Sequence, residues 1–157
     1  MIKFIDDFFN DEDYKKIVNY CIKAPYYYGE SDGVNRPNGM MSNIKKNNFM
    51  FDLINNQIKE KIQEIKNLKN KRTYINCFCP EEKTFFHTDG NCGITCLFYV
   101  NPDYTTNSNG QTEFILDEKK VIITPIPNRM AFFSSNIIHR ATSFKDKHRF
   151  TIASKYS

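Results

Sequence analysis

The sequence lacks the marks of several protein classes before it shows those of any one. Its five cysteines, Cys21, Cys77, Cys79, Cys92 and Cys96, are odd in number and irregular in spacing, which excludes the paired framework of a small secreted domain. Neither Cys77-Phe78-Cys79 nor Cys92 with Cys96 makes the C-x-x-C knuckles of a structural zinc site, so small buried thiols are expected. No apolar run approaches membrane-spanning length, and Met1-Ile2-Lys3-Phe4-Ile5 turns acidic at Asp6-Asp7 before a signal-peptide core develops. A cytoplasmic location is the expectation. Internal repeats and low-complexity segments are absent, and neither sign of charge dominates. The 22 Lys and Arg against 18 Asp and Glu give +4, with a pI near 8.7, which favours anionic partners only weakly. Lys59, Lys61, Lys66, Lys69, Lys71 and Arg72 cluster, but such a run reads as a solvated face rather than a nucleic-acid contact.

What is present suffices for one packed core. The chain has 157 residues, 40% apolar and 15% aromatic, and needs no disulfide or structural metal to bury a core. We read residues 1–157 as a single domain, with 1–70 as helical support and 71–157 as the β core. Residues 2–5 form a short strand. Asn10 or Asp11 then opens a helix that runs to Lys23, where Ala24-Pro25 stops it. Tyr26-Tyr27-Tyr28 is a strand candidate, and 31–42, rich in Gly, Asn and Pro, is a long loop. Phe51, Ile54, Ile58, Ile62, Ile65 and Leu68 repeat at helical spacing, predicting a second helix from Lys46 or Asn47 to Leu68. Beyond Lys71 the pattern turns to short β-rich runs near 72–79, 84–88, 93–100, 111–116, 120–124, 130–134, 137–143 and 148–155. The fold class is α+β and mainly β: a double-sheet jelly roll with the two N-terminal helices packed on one sheet.

The chemistry gathers on Phe85-Phe86-His87-Thr88-Asp89, because residues two apart on a strand share a face. Iron(II) in oxygenases is held by two imidazoles and one carboxylate, leaving adjacent positions open. His87, Asp89 and His139 have those types, with His139 on a late strand that a jelly roll brings opposite the other two. Each alone is an everyday residue. Arg149 lies ten positions beyond His139 with Thr151 on its own strand face, and a guanidinium inside a barrel calls for an anion. A dicarboxylate co-substrate would supply one, chelating metal at one end and meeting Arg149 and Thr151 at the other. The bland alternative has Arg149 outward or paired with Asp146 or a Glu.

His87-Thr88-Asp89, the strand Thr95-Cys96-Leu97-Phe98-Tyr99-Val100-Asn101, the block Asn109-Gly110-Gln111-Thr112-Glu113-Phe114, and Pro127-Asn128-Arg129-Met130-Ala131-Phe132-Phe133 leading to His139 and Arg149 resemble the Fe(II)/2-oxoglutarate-dependent oxygenases. The prolyl-4-hydroxylase-like branch is the nearest in pattern. The resemblance covers about residues 72–155, and Phe8-Phe9-Asn10-Asp11-Glu12 is similar to the helix entry of that branch. It implies a double-stranded β-helix, iron ligands at His87, Asp89 and His139, and 2-oxoglutarate anchored by Arg149, with Asn76 near the co-substrate. Two departures stand out. Phe78 occupies the place of a tyrosine that reaches the distal carboxylate, so Tyr74 or Tyr99 is a candidate for that task; Gln111 replaces an acidic residue. The implied reaction consumes 2-oxoglutarate and O2, releases succinate and CO2, and hydroxylates a C–H bond. Asp89 fills the position that halogenating relatives leave open.

The primary substrate stays open at this level: a protein or peptide side chain is favoured by analogy, with a nucleobase or small metabolite as the alternative. Two other classes compete. One is a non-catalytic jelly-roll binding protein; the other is a cupin-like metal site using His87, His139 and His148, which the strand parity of His148 disfavours. Arg140 could touch substrate or lie exposed, Tyr26-Tyr27-Tyr28 and Met40-Met41 could line a groove or pack, and the loops 31–42 and 102–110 are expected to flank the entrance.

Overall fold

The alternation of apolar and polar residues in the C-terminal half resolves, in a computed structural model, into two antiparallel sheets; residues 1–31 and 38–157 are described. The strands are β1 (Ile2–Ile5), β2 (Tyr27–Ser31), β3 (Asn38–Asn43), β4 (Asn70–Phe78), β5 (Ile94–Tyr99), β6 (Thr112–Leu116), β7 (Lys119–Ile123), β8 (Met130–Ser134), β9 (Ile138–Ala141) and β10 (Arg149–Tyr156). The larger sheet has the order β1-β8-β5-β10-β4-β3-β2 and the smaller β7-β6-β9. This is the jelly roll expected from the sequence.

Both helices are set by their caps. Asn10 accepts from the Asp13 amide at 2.9 Å and opens α1 (Asp11–Lys23), whose first turn carries Asp11, Glu12 and Asp13 at the positive end of the dipole. Asn48 likewise accepts from the Met50 amide at 2.9 Å and opens α2 (Phe49–Lys61). Helix α2 is shorter than its apolar period suggests. Ile62 is extended (φ −114, ψ 100) and a 3-10 turn, Gln63–Ile65, follows. Ile62 and Ile65 are both buried, so the core contact continues across the bend.

Strand parity divides the large sheet's residues between two cores. Ile75, Cys96, Phe98, Met130, Phe132 and Ile152 face α1 and α2, meeting Phe8, Phe9, Ile17, Ile54 and Ile58. Tyr74, Leu97, Tyr99, Ala131, Phe133 and Ala153 face the small sheet, meeting Phe114, Ile123 and Ile137. Phe98 is wedged edge-on against Phe9 and Tyr14, with centroids 5.0 and 6.1 Å away.

Two expectations are corrected here. The loop at 31–42 contains strand β3, which pairs Met40 with Cys77 and Met41 with Asn76; partnership with β4 overrides its Gly- and Asn-rich composition, and 32–37 lie outside the described residues. The strand at 84–88 does not form as a ladder. Its single bridge is His87 to His139, since the Phe85 carbonyl is engaged by the His87 ring and the Thr84 hydroxyl donates to the Ala141 carbonyl in place of a backbone amide.

Candidate metal and co-substrate site

The one exchanged pair in the 84–88 segment does most of the positioning. His87 N–H donates to the His139 carbonyl and His139 N–H to the His87 carbonyl, both at 2.9 Å, so the two imidazoles are pinned side by side with ring centroids 4.6 Å apart. The Asp89 amide donates to the Ser135 carbonyl at 2.9 Å and fixes the third residue. His87, Asp89 and His139 thereby present ligand atoms that all lie within 4.8 Å of one another.

The protonation pattern suits a metal. Each Nδ1 lies against a backbone carbonyl, His87 on Phe85 at 3.0 Å and His139 on Ile137 at 2.8 Å. A carbonyl only accepts, so each Nδ1 carries a proton, which leaves Nε2 as the ligand atom facing Asp89. Those Nε2 atoms are 3.8 Å from Asp89 Oδ1 and 3.6 Å from Oδ2. Burial pushes His139 below the ordinary imidazole range, with the Asp89 charge opposing, so it stays neutral at physiological pH. Burial would raise the Asp89 carboxyl, but Lys155, His139 and a hydroxyl bond from Thr95 together hold it below the usual range. Two imidazoles and one carboxylate form the donor set that binds iron(II) with positions to spare.

A cavity of about 310 Å³ runs from this group to Arg149. Arg149 is 1% exposed, its Nε donating to the Gly110 carbonyl at 2.7 Å and its Nη2 to Thr112 Oγ1 at 3.2 Å. Gly110 cannot be replaced without disturbance: its φ is +79°, and a Cβ there would lie 2.2 Å from the Phe144 ring. Arg149 Nη1 and Thr151 Oγ1 are buried without a hydrogen-bond partner among the described residues. Burial lowers the guanidinium to about 10, which still leaves it a cation at neutral pH. No carboxylate of the described residues pairs with it, so the outward or Asp146-paired alternative does not hold. Thr112 adds a third donor: it accepts from Tyr99 Oη at 2.7 Å and from Arg149, so its own hydrogen is left to give. Buried donors of this kind suit an acceptor-rich anion.

The remaining candidates divide. Asn76 and Tyr74 line the cavity on β4, Tyr74 beneath the Arg72 guanidinium at 4.2 Å. Tyr99 does not line it; its hydroxyl is committed to Thr112, which places it behind the anion end rather than on its wall. His148 is exposed, stacks on Phe150 at 6.3 Å and is not part of the ligand cluster, which removes the geometric basis for the cupin-like alternative. Arg140 binds Glu113 at 2.8 Å and covers Phe86 at 4.5 Å. Met40 lines the cavity, whereas Met41 is in the core and Tyr27 and Tyr28 are exposed. At the entrance, Gly39 and Met40 are joined by Glu82, Lys83, Thr84 and Thr88; the 102–110 loop instead closes the far end through Gly110. Thr112, Thr95 and Lys155 were not among the sequence candidates. Lys155 had a visible signal, since it shares strand parity with Arg149 and Thr151.

No protein-family model and no curated protein matches the chain by sequence. Solved structures match by shape. A prolyl hydroxylase from Trichoplax adhaerens, in complex with a hypoxia inducible factor oxygen degradation domain peptide fragment, superposes with a TM-score of 0.81 at 15% identity, over 99% of this chain and 82% of that one. The viral collagen prolyl hydroxylase of Paramecium Bursaria Chlorella virus-1, as its 2OG complex, gives 0.72 at 15% identity, over 99% and 94%. HygX from Streptomyces hygroscopicus, with nickel and 2-oxoglutarate bound, gives 0.74 at 9%, over 99% and 82%. The chain has the double-stranded β-helix fold of the prolyl hydroxylases and other 2OG-Fe(II) oxygenases.

Proposed function

We propose that this protein is an iron(II)- and 2-oxoglutarate-dependent oxygenase, with His87, Asp89 and His139 holding the metal and Arg149, Thr151 and Thr112 holding the far carboxylate of 2-oxoglutarate. The observation that carries the reading is the pair of buried donors without partners, Arg149 Nη1 and Thr151 Oγ1, at the opposite end of one cavity from the two imidazoles and carboxylate. A binding protein that merely kept the jelly-roll shape would have no use for a buried cation lacking a counter-charge, because such a group is costly unless an anion meets it. With 2-oxoglutarate and O2, bound iron(II) supplies the oxidising chemistry that inserts one oxygen atom into a C–H bond and releases succinate and CO2.

The protein's own part is binding and orientation. The planar Arg149 fork pairs with a carboxylate through two parallel N–H bonds, and Thr151 and Thr112 satisfy further lone pairs. Asn76 on the neighbouring strand supplies an amide beside the co-substrate, and Tyr74 forms the adjacent wall. Tyr99 acts one step back by orienting Thr112. Leu97, Phe133 and Ala153 give the cavity an apolar lining that limits water around the reacting atoms. The similarity to a prolyl hydroxylase seated on a peptide supports a protein or peptide side chain as the substrate.

Calorimetry tests the reading without a known substrate. Manganese(II)-loaded protein should bind 2-oxoglutarate, and Arg149→Lys should weaken that binding about tenfold or more because a point charge cannot reproduce the fork. Binding that is absent, or indifferent to Arg149→Lys, would remove the basis for the assignment.

A further inference from the structure

Among the described residues, the cations that line the cavity are Lys83, Arg149 and Lys155. Arg149 belongs to the co-substrate end, and Lys83 lies at the entrance over the Phe85 ring at 5.4 Å. Lys155 has no role in the reading above, yet it sits against the proposed metal ligands. It lies six residues along β10 from Arg149 on the same face, about 20 Å away at the usual rise per residue. Its Nζ is 3.0 Å from Asp89 Oδ1, and its side chain keeps 24% of its surface exposed. Thr95, its register partner on β5, donates to the other Asp89 oxygen at 2.7 Å. Tyr74 meets the same ammonium with a side-chain hydrogen bond, its ring centroid 5.6 Å away, but a neutral phenol does not balance the charge. The other acid on the cavity wall, Glu82, accepts from the Cys79 amide at 2.8 Å.

A dication held by His87, Asp89 and His139 would draw on the same carboxylate that Lys155 uses, and two cations sharing one carboxylate at this range repel. The need of Lys155 for an anion then passes to whatever occupies the space beside it. The far carboxylate of 2-oxoglutarate is committed to the Arg149 end, so that space belongs to the primary substrate. Resting on the oxygenase reading, we propose that Lys155 is a specificity-determining residue that pairs with an anionic group, carboxylate or phosphate, carried by the primary substrate close to the oxidised C–H bond. The substrate is then an acidic molecule rather than a neutral or basic one.

The test is a lysate incubated with iron(II), 2-oxoglutarate and wild-type protein, His87→Ala, Lys155→Met or Lys155→Glu. Peptide digests and the small-molecule fraction are searched separately for the mass gain of one oxygen atom, which also distinguishes the source of the anion. Products formed by wild type and not by His87→Ala should carry an acidic group near the oxidised position. Their yield should fall about tenfold or more with Lys155→Met, through KM rather than kcat once a precursor is purified, and Lys155→Glu should shift selection toward basic neighbours. Products without an acidic group, or a yield that Lys155→Met leaves unchanged, would overturn the proposal. A manganese(II) titration of the same variants separates selectivity from support of Asp89. Lys155→Met should bind the ion about tenfold more tightly, since a competing cation is gone; loss of binding would make Lys155 a prop for Asp89 and overturn the proposal. Manganese(II) binding that His87→Ala abolishes upholds the metal site whichever way Lys155 falls, and its absence from wild type overturns both.

Discussion

The two faces of the seven-stranded sheet are made from alternate residues of the same strands and serve opposite ends. Toward α1 and α2 the strands present Ile75, Cys96, Phe98, Met130 and Ile152, all buried against the helices. Toward the small sheet β10 presents Arg149, Thr151 and Lys155, and β4 presents Asn76, with buried donors that no described residue satisfies. Hydrophobic burial near 25 cal/mol per Å² stabilises the first face throughout, whereas the second mixes buried Leu97, Tyr99 and Phe133 with those unsatisfied donors. Changes on the two faces should therefore separate, one set moving stability and the other moving binding.

The largest effect is expected at the proposed metal ligands. Asp89→Ala or His139→Ala should abolish manganese(II) binding and turnover while circular dichroism stays that of the native fold, which checks that the site is not part of the scaffold. Next comes Phe98→Ala on the helix face, where removing a fully buried ring should cost about 3–5 kcal/mol in a urea melt yet leave manganese(II) affinity nearly unchanged. Loss of metal binding in folded Phe98→Ala protein would break the separation. Arg149→Met sharpens it from the other side. Because the guanidinium is buried with no counter-charge, its replacement by an apolar chain should hold or raise the melting temperature, even as 2-oxoglutarate binding disappears.

The smallest effect concerns the sheet margin, where Arg129 binds Asp6 at 2.5 and 2.9 Å. That hydrogen-bonded pairing holds the Asp6 carboxyl below the usual range against a small opposing effect of burial. A carboxyl lowered on folding adds stability above its unfolded pKa and loses it as pH falls through the folded one. Asp6→Asn should thus cost at most about 1 kcal/mol at neutral pH, given the exposure of Asp6, with the difference from wild type vanishing in acid. A difference that grows on acidification would mean that the pairing does not set the titration.

Much of this division was legible in the sequence because strand parity is a local property. Arg149 with Thr151 shares a face of β10 by spacing alone, and the strands from β4 to β10 follow the turn residues between them; His87 and Asp89 converge instead through amide bonds to the His139 and Ser135 carbonyls. What was hidden depended on partners. β3 is a strand because β4 and β2 lie on either side of it, and the end of α2 at Lys61 is not announced by the apolar period, which continues through Ile62 and Ile65. Tyr99 has cavity-side parity but is capped by Thr112, a contact between β5 and the start of β6 that no spacing reveals. Thr112 lies inside the block Asn109–Phe114, and Lys155 lies two steps of parity beyond Thr151. Residues 84–88 have a strand-like sequence, but side chains of His87 and Thr84 replace the ladder bonds.

A cavity that holds a metal at one end and a carboxylate at the other is a ruler. Calorimetry of manganese(II)-loaded protein with oxaloacetate, 2-oxoglutarate and 2-oxoadipate varies the distance between the keto acid and the far carboxylate. 2-Oxoglutarate should bind most tightly, and Arg149→Lys should erase the preference. Equal binding of the three acids, or a preference that survives Arg149→Lys, would contradict the two-ended site.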